Sequence, residues 1–305
     1  METQQSTSNK DKAAHKDVYG IITDRIIEQL NKGTVPWRKP WAEAGIPTNF
    51  ISKRAYRGIN IMLLASLGYE QNYFLTPKQL ERANGKPKKD EKPYPVIYWN
   101  YSDQELSDEE KAEGIEAKKI GKLRYYMVYN VSQCEGLDLK SISTKATRVQ
   151  SSEELADLCI SAMPNKPRIQ FKEQKAYYDP RLDIVNMPKQ KTFESDAAYF
   201  STLFHELLHS TGHVSRLNRK DLVQMSEFGS EPYSHEELVA EIGTCYLQCF
   251  TGITGQFEQS AAYIQGWLTK LKNDRRFIFS ASTAAQKATD FILNKKHEVE
   301  DKEEE

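Results

Sequence analysis

The segment FHELLH at residues 204–209 places two histidines four positions apart, with a glutamate directly after the first. Four residues advance an α-helix by about 400°, so His205 and His209 point in nearly the same direction, one turn apart. Two imidazoles at this spacing bind one Zn²⁺, and a neighbouring glutamate reaches a water molecule at the metal. The segment therefore predicts a metal site of the metallopeptidase kind, with Glu206 as its catalytic general base.

The helix that carries this segment has clear ends and a clear buried face. We expect it to run from about Ser195 to Thr211, where Gly212 ends it. Leu207 and Leu208 would hold it against a core. The strand expected just upstream, Asp183–Met187, lies where an extended substrate would pair with the edge of a sheet.

The third metal ligand has to come from outside the histidine helix. Metzincins place a third histidine six residues after the second, and that position is Ser215, so this class is excluded. His213 follows the helix-breaking Gly212 and has poor geometry for a ligand. Glu237 and Glu241 lie on one face of the next predicted helix, far enough along the chain for a loop and a return.

This arrangement resembles the gluzincin pattern, in which a ligand glutamate is followed four residues later by an acid that orients a histidine. The resemblance implies that Glu237 is the third ligand and that Glu241 holds a histidine, with the reverse assignment left open. Glu236 is interpreted as a solvent-facing residue. Three side chains are candidates to stabilise an oxyanion, and the sequence does not choose between them: Tyr233, His235 and Tyr263.

Composition favours a cytoplasmic protein of ordinary globular kind. The 305 residues are 39% hydrophobic and 28% charged, with no apolar run near the roughly 20 residues that cross a bilayer. The polar residues 1–16 lack the apolar core of a signal peptide. Four cysteines without a CxxC pair are expected to be reduced, buried thiols.

Charge is divided unevenly along the chain. Residues 16–150 carry a net charge of +5 and residues 151–305 carry −6. Such a split suggests that the first part, and not the second, meets a polyanion.

Aromatic and basic residues alternate in the basic part of the chain, between Gly33 and Asn60. Exposed aromatic rings stack on unpaired bases and cations follow phosphates, which makes this region a candidate surface for single-stranded DNA. The alternative is that Trp37 and Trp41 are core anchors around a proline-stiffened turn. The candidate DNA-binding residues are Trp37, Arg38, Lys39, Trp41, Arg54, Tyr56, Arg57 and Asn60.

The order of predicted helices and strands indicates an α+β fold with two domains. We expect a disordered tail at residues 1–15, an N-terminal domain at 16–145, a second domain at 146–296, and an acidic disordered tail at 297–305. The last helix of the second domain is expected over Ala284–Leu293.

Several blocks of sequence resemble ArdC-type antirestriction proteins of plasmids. In the first half these are the Pro-Trp-x-x-Pro-Trp block at 36–41, Tyr-Arg-Gly-Ile-Asn at 56–60 and Val-Tyr-Asn-Val-x-Gln at 128–133. In the second half they are His-Glu-x-x-His-x-Thr-Gly-His at 205–213 and Glu-Glu-Leu-Val-Ala-Glu at 236–241. The same pairing of halves resembles the N-terminal region of certain plasmid primases.

The resemblance implies a domain that binds single-stranded DNA joined to a zincin-like, gluzincin-type metallopeptidase domain. It also implies protection of incoming mobile DNA from host restriction, with Zn²⁺, Mn²⁺ or another divalent ion at the metal site. The expected partners are single-stranded DNA and a protein substrate, and no membrane. Two alternatives stay open: a DNA-shielding protein whose metal site is structural, and an accessory domain of a plasmid primase.

Overall fold

The computed structural model describes residues 17–38, 45–103, 119–142, 150–223, 231–254 and 261–295. The predicted tails, 1–15 and 297–305, lie outside this part of the chain. Nine α-helices are described: α1 Val18–Asn31, α2 Ile59–Ala65, α3 Pro77–Arg82, α4 Ser152–Ala162, α5 Asp196–Ser210, α6 Lys220–Val223, α7 Glu231–Thr251, α8 Ala261–Asn273 and α9 Phe277–Ile292.

The strands form three small sheets within the described residues. Their bounds are β1 Thr48–Asn49, β2 Tyr73–Leu75, β3 Lys86–Pro87, β4 Tyr94–Asp103, β5 Lys119–Asn130, β6 Cys134–Glu135, β7 Arg168–Gln170, β8 Tyr177–Asp179 and β9 Ile184–Asn186. The first sheet has the order β1-β2-β5-β4, the second pairs β3 with β6, and the third has the order β7-β9-β8. The α+β fold class is confirmed.

Local sequence accounts for where several helices begin. Thr76 accepts a hydrogen bond from the backbone of Gln79, and the Gln79 side chain bonds back to Thr76, so α3 starts with a capping box. Ser151 and Glu154 form the same reciprocal pair at α4. Ser195 caps α5, the helix with the two histidines, as expected from the sequence.

The two halves of the chain share one hydrophobic core. Ile22 and Ile26 of α1 and Trp37 of the following turn are buried in the same cluster as Leu238 of α7 and Ile278 of α9. A second cluster surrounds α5. The N-terminal segment therefore packs directly on the helix that carries the third metal-ligand candidate.

The strand expected at a sheet edge lies in the middle of its sheet. β9, Ile184–Asn186, pairs in parallel with β7 and antiparallel with β8, so both of its edges are occupied. The prediction of an edge at β9 was wrong because Tyr177–Asp179 forms a further strand, β8, on its second side. No helix of the described residues is long and apolar enough to cross a membrane.

Candidate metal centre

The two histidines of α5 face each other across one helical turn. Their Nε2 atoms are 3.1 Å apart, and their rings lie at 84° with centroids 4.7 Å apart. His209 is buried and His205 is partly exposed. Both imidazoles therefore present the same nitrogen to one point at the surface of α5.

Glu237 of α7 brings a carboxylate to that point. Its Oε2 is 3.5 Å from Nε2 of His205, and its Oε1 is 3.6 Å from Nε2 of His209. Three donors at the corners of a tetrahedron, each about 2.0–2.1 Å from its centre, stand about 3.3 Å apart. The 3.1 Å between the imidazole nitrogens, and the 3.5 and 3.6 Å from them to the two oxygens of Glu237, are close to this value, so the donor set fits one divalent cation.

Close packing of α5 on α7 makes this convergence possible. A Cβ built at Gly243 would lie 2.6 Å from Cδ2 of Leu208, which is closer than real Cβ contacts come. Leu207 and Leu208 are fully buried in the core around α5. The glycine therefore lets the two helices approach within reach of a shared ion.

Glu236, and not Glu241, contacts a histidine of the site. Nδ1 of His209 lies 3.3 Å from Oε1 of Glu236, and because a carboxylate only accepts, this nitrogen carries the hydrogen. Arg219 donates to the same carboxylate, through Nε at 2.9 Å and Nη2 at 2.5 Å. The prediction of Glu236 as a solvent-facing residue was wrong, because its side chain is fully buried.

Charges around His209 shift its titration. Burial lowers the pKa of His209, but the hydrogen bond to Glu236 and the charges of Glu237, Glu236 and Glu206 raise it to about 9 in the metal-free protein. Burial acts to raise the pKa of Glu236, whereas Arg219 and His209 together hold it below its usual value. Glu236 is therefore an ionised partner that fixes the imidazole orientation.

Glu241 belongs to a separate buried network. Trp37 donates from Nε1 to Oε2 of Glu241 at 2.9 Å, and the hydroxyl of Tyr263 donates to the same oxygen. The Cys245 thiol faces the backbone carbonyl of Trp37. The expected role of Glu241 in holding a histidine is corrected: its carboxylate joins α7 to the N-terminal half and to α8.

Arg216 anchors the loop that follows α5 through hydrogen bonds. Arg216 donates from Nε to the carbonyl of Ser210 at 2.7 Å and from Nη1 to the carboxylate of Asp183 at 3.1 Å, and its Nη2 also contacts Asp183. His213 bonds to Ser215 at 2.8 Å instead of joining the donor set. This loop is therefore tied to the three-stranded sheet and supports the site from outside.

Two of the three candidates for an oxyanion stabiliser are hydrogen-bonded to other side chains, and the third is not among the described side chains. Nε2 of His235 is 2.6 Å from the hydroxyl of Ser280. Tyr263 bonds to Glu241. The side chain of Tyr233 is outside the described residues.

Two aromatic residues proposed to stack on DNA lie in the core. Trp37 is fully buried and packs edge-to-face on Trp267, and Tyr56 is 7% exposed and packs on Phe74. Asn60 is also buried and exchanges hydrogen bonds with the backbone of Ile97. These three assignments are corrected, since none of the rings or amides can reach a base.

The remaining DNA-binding candidates divide into three kinds. Arg57 pairs with Asp290 of α9 at 2.5 Å, so it connects the two halves of the chain. Arg54 is exposed and stays a prediction. The Arg38 side chain, Lys39 and Trp41 lie outside the described residues.

Two family models match the two halves of the chain. Residues 16–131 match the N-terminal domain of anti-restriction factor ArdC, and residues 156–284 match a zincin-like metallopeptidase. A solved structure of the antirestriction ArdC protein from plasmid R388, without metal, is 36% identical with a TM-score of 0.73. The match covers 92% of this chain and all of that one. The chain belongs to the ArdC antirestriction family.

Other relatives of this ArdC family member extend the comparison. A Mn(II)-bound structure of the R388 ArdC protein is 38% identical with a TM-score of 0.71, over 91% of this chain and 97% of that one. Two proteins of Escherichia coli named DNA primase TraC are 34% and 32% identical over 91% of this chain. The chain spans only 27% and 20% of their lengths. The uncharacterised protein y4eC of Sinorhizobium fredii is 29% identical over 94% of both chains.

Proposed function

We propose that this ArdC family member binds single-stranded DNA and hydrolyses a peptide bond at a zinc-dependent site, and that it acts in the protection of mobile DNA. The observation that carries the peptidase proposal is the placement of His205, His209 and Glu237 around one point. Glu206 follows His205 on the same helix and is partly exposed. A cytoplasmic location and the domain limits 16–145 and 146–296 belong to the same proposal; four free, buried thiols fit a reducing compartment.

The donor set suits zinc, and Mn²⁺ or another divalent ion is the alternative. Two imidazoles and one carboxylate are the protein ligands of many hydrolytic zinc sites, with one position left for water or substrate. The R388 relative has a Mn(II)-bound structure, and imidazole with carboxylate accommodates that ion as well. When bound, the cation would polarise the scissile carbonyl and lower the pKa of a water molecule.

The chain's own residues would supply the proton transfers and the positioning. Glu206 takes the proton of the attacking water and passes it to the leaving amine. Glu236 accepts the hydrogen of Nδ1 of His209 and so holds Nε2 toward the site, where Nε2 would give up its proton to bind a cation. Arg219 in turn fixes the Glu236 carboxylate with two hydrogen bonds.

The test of the peptidase proposal is the variant Glu206→Gln. It keeps the size of the side chain but cannot accept a proton, so metal content and melting temperature should stay unchanged while hydrolysis of a labelled casein falls by at least about 100-fold. Glu194→Gln, an exposed position before α5, is the matched control. Equal hydrolysis by the two variants would remove Glu206 from catalysis.

A DNA-shielding protein with a structural metal site is the second candidate. The helix that carries Glu237 also carries Glu241, which is hydrogen-bonded to Trp37 of the N-terminal half. A metal that stiffens α7 would thereby stabilise the contact between the halves without hydrolysis. Conjugation into a restricting host distinguishes the two candidates. If the protein only shields DNA, the Glu206→Gln variant keeps full antirestriction activity; if it acts as a peptidase, the variant loses that activity.

The match to the TraC primases supports a third reading, in which this fold serves as an accessory domain. The matched region is a minor part of those proteins. Priming assays on single-stranded templates would support this reading only if the isolated chain stimulated synthesis by a primase.

A further inference from the structure

A groove of about 710 Å³ lies between the β4–β5 ribbon and α9. Its walls include Tyr19 of α1, Trp99 of β4 and Arg219 beside the metal centre. One face of α9, together with the residue that precedes it, forms the opposite wall: Arg276, Phe279, Ser280, Thr283, Ala284 and Lys287. The groove therefore runs between the N-terminal half and the metal-centre half.

Two aromatic rings project from the ribbon on the groove side. Trp99 and Tyr101 are 43% and 59% exposed, which is unusual for rings of this size. Tyr101 pairs in register with Gly121 of β5. A Cβ at Gly121 would lie 3.0 Å from Tyr101 and 3.2 Å from Trp99, so both rings cover the same side of the ribbon. Together they present a partly exposed aromatic surface.

The opposite wall of the groove is cationic. Arg276 and Lys287 are both exposed, and the Arg276 guanidinium sits 5.0 Å from the ring centroid of Tyr19. Arg219 adds a third cation, which is paired with the buried Glu236. Among the lining residues that the structure describes, none is acidic. The groove thus combines exposed rings on one side with positive charge on the other.

We infer that this groove, and not the Pro-Trp block, is the binding path for single-stranded DNA, an assignment that rests on the proposed DNA-binding function. Trp99 and Tyr101 stack on successive bases, while Arg276 and Lys287 contact phosphates. A duplex hides its base faces, so the rings select unpaired strands. Arg219 lies in the groove wall and holds Glu236, so a bound strand lies beside the metal centre.

The experiment is a fluorescence anisotropy titration of the full chain with a labelled oligothymidylate of 20 nucleotides. Loss of one stacking ring weakens binding by about 5- to 150-fold, so Trp99→Ala and Tyr101→Ala should each raise the Kd within that range. Trp99→Phe should retain most of the affinity, and its tryptophan fluorescence should be quenched less on binding than that of the wild type. Phe171→Ala removes an equally exposed ring on the zincin-like half and serves as the control.

The salt dependence of binding tests the contribution of the cationic wall. In Arg276→Gln/Lys287→Gln the slope of log K against log salt should flatten by about 1.4, because each lost phosphate contact removes about 0.7. Lys191→Gln, at an exposed position before α5, should leave the slope unchanged. A melting curve of each variant establishes that it is folded.

Three outcomes separate the proposals. Wild-type protein that does not bind oligothymidylate overturns both the DNA-binding function and the groove. Wild-type binding that Trp99→Ala and Tyr101→Ala leave unchanged overturns the groove alone. Equal affinity for a polyglutamate peptide would indicate a general polyanion site and would also overturn the assignment to single-stranded DNA.

Discussion

The indole of Trp37 donates a hydrogen bond of 2.9 Å to the carboxylate of Glu241, 204 positions further along the chain. Both side chains are buried, and the bond joins the turn after α1 to the helix that carries Glu237. This contact makes the N-terminal half part of the support of the metal centre. It also explains how a tryptophan inside a basic, proline-rich block can have a structural role.

Loss of this bond should lower stability and leave metal binding intact. Trp37→Phe keeps most of the buried ring but leaves a buried carboxylate with one donor fewer, so the free energy of unfolding should fall by about 1–3 kcal/mol. Urea unfolding measures the change, and a metal titration should give a Kd within about twofold of wild type. Trp99→Phe, at an exposed site, is the control for the substitution itself.

We expect Glu236 to contribute to metal affinity and Glu241 not to contribute to it. Glu236→Gln weakens the hold on His209 and its ion pair with Arg219, so metal affinity should fall by about 10- to 100-fold. Glu241→Gln should lower stability alone. Competition with a chromophoric chelator measures both, and equal losses of affinity in the two variants would contradict the assignment of Glu236.

A methyl group at Gly243 should force α5 and α7 apart. Gly243→Ala places a carbon 2.6 Å from Leu208, so we expect a loss of about 1–3 kcal/mol in the free energy of unfolding together with weaker metal binding. Gly266→Ala in α8, where no atom lies within 4 Å of the added carbon, is the matched control. It should be neutral or stabilise by about 0.5–1 kcal/mol, because alanine favours the helix.

The Arg216–Asp183 pair should give a defined pH dependence. Burial acts to raise the pKa of Asp183, but hydrogen bonds from Arg216 and Tyr178 and the Arg216 charge hold it below its usual value. A lowered pKa stabilises the fold above the unfolded value of about 3.9, and this contribution is lost as the pH falls through the folded value. Asp183→Asn should therefore cost about 1.5–3 kcal/mol at pH 7.

The difference between wild type and Asp183→Asn should narrow below about pH 4, where the unfolded wild-type chain takes up a proton at this carboxylate, and close once the folded protein is protonated too. Chemical unfolding over pH 3 to 7 measures it. Asp157→Asn on the exposed face of α4 controls for general charge effects. A difference that stays constant down to pH 3 would mean that the pair contributes nothing through ionisation.

Local chemistry was sufficient for some features of this protein. The capped starts of α3, α4 and α5 depend on residues three positions apart, so local sequence is enough to determine them. The pairing of His205 with His209 needs only the helical repeat. The last helix was expected to begin at Ala284, but α9 starts at Phe277. No side chain caps it, and the first turn is held by burial of Phe277 and Ile278 in the shared core.

The spacing in the sequence alone determined that two imidazoles and a following glutamate share one turn of helix. Only the tertiary structure decided which acid meets them. Positions 236 and 241 are five residues apart, so they point about 140° apart around α7. Which of the two faces α5 depends on how α7 packs on that helix, and Leu208 lies directly against Gly243 in this contact. Tertiary structure also decided which aromatic residues are buried, because burial depends on contacts between residues far apart in the chain. It buries Trp37 and Tyr56 and leaves Trp99 and Tyr101 exposed.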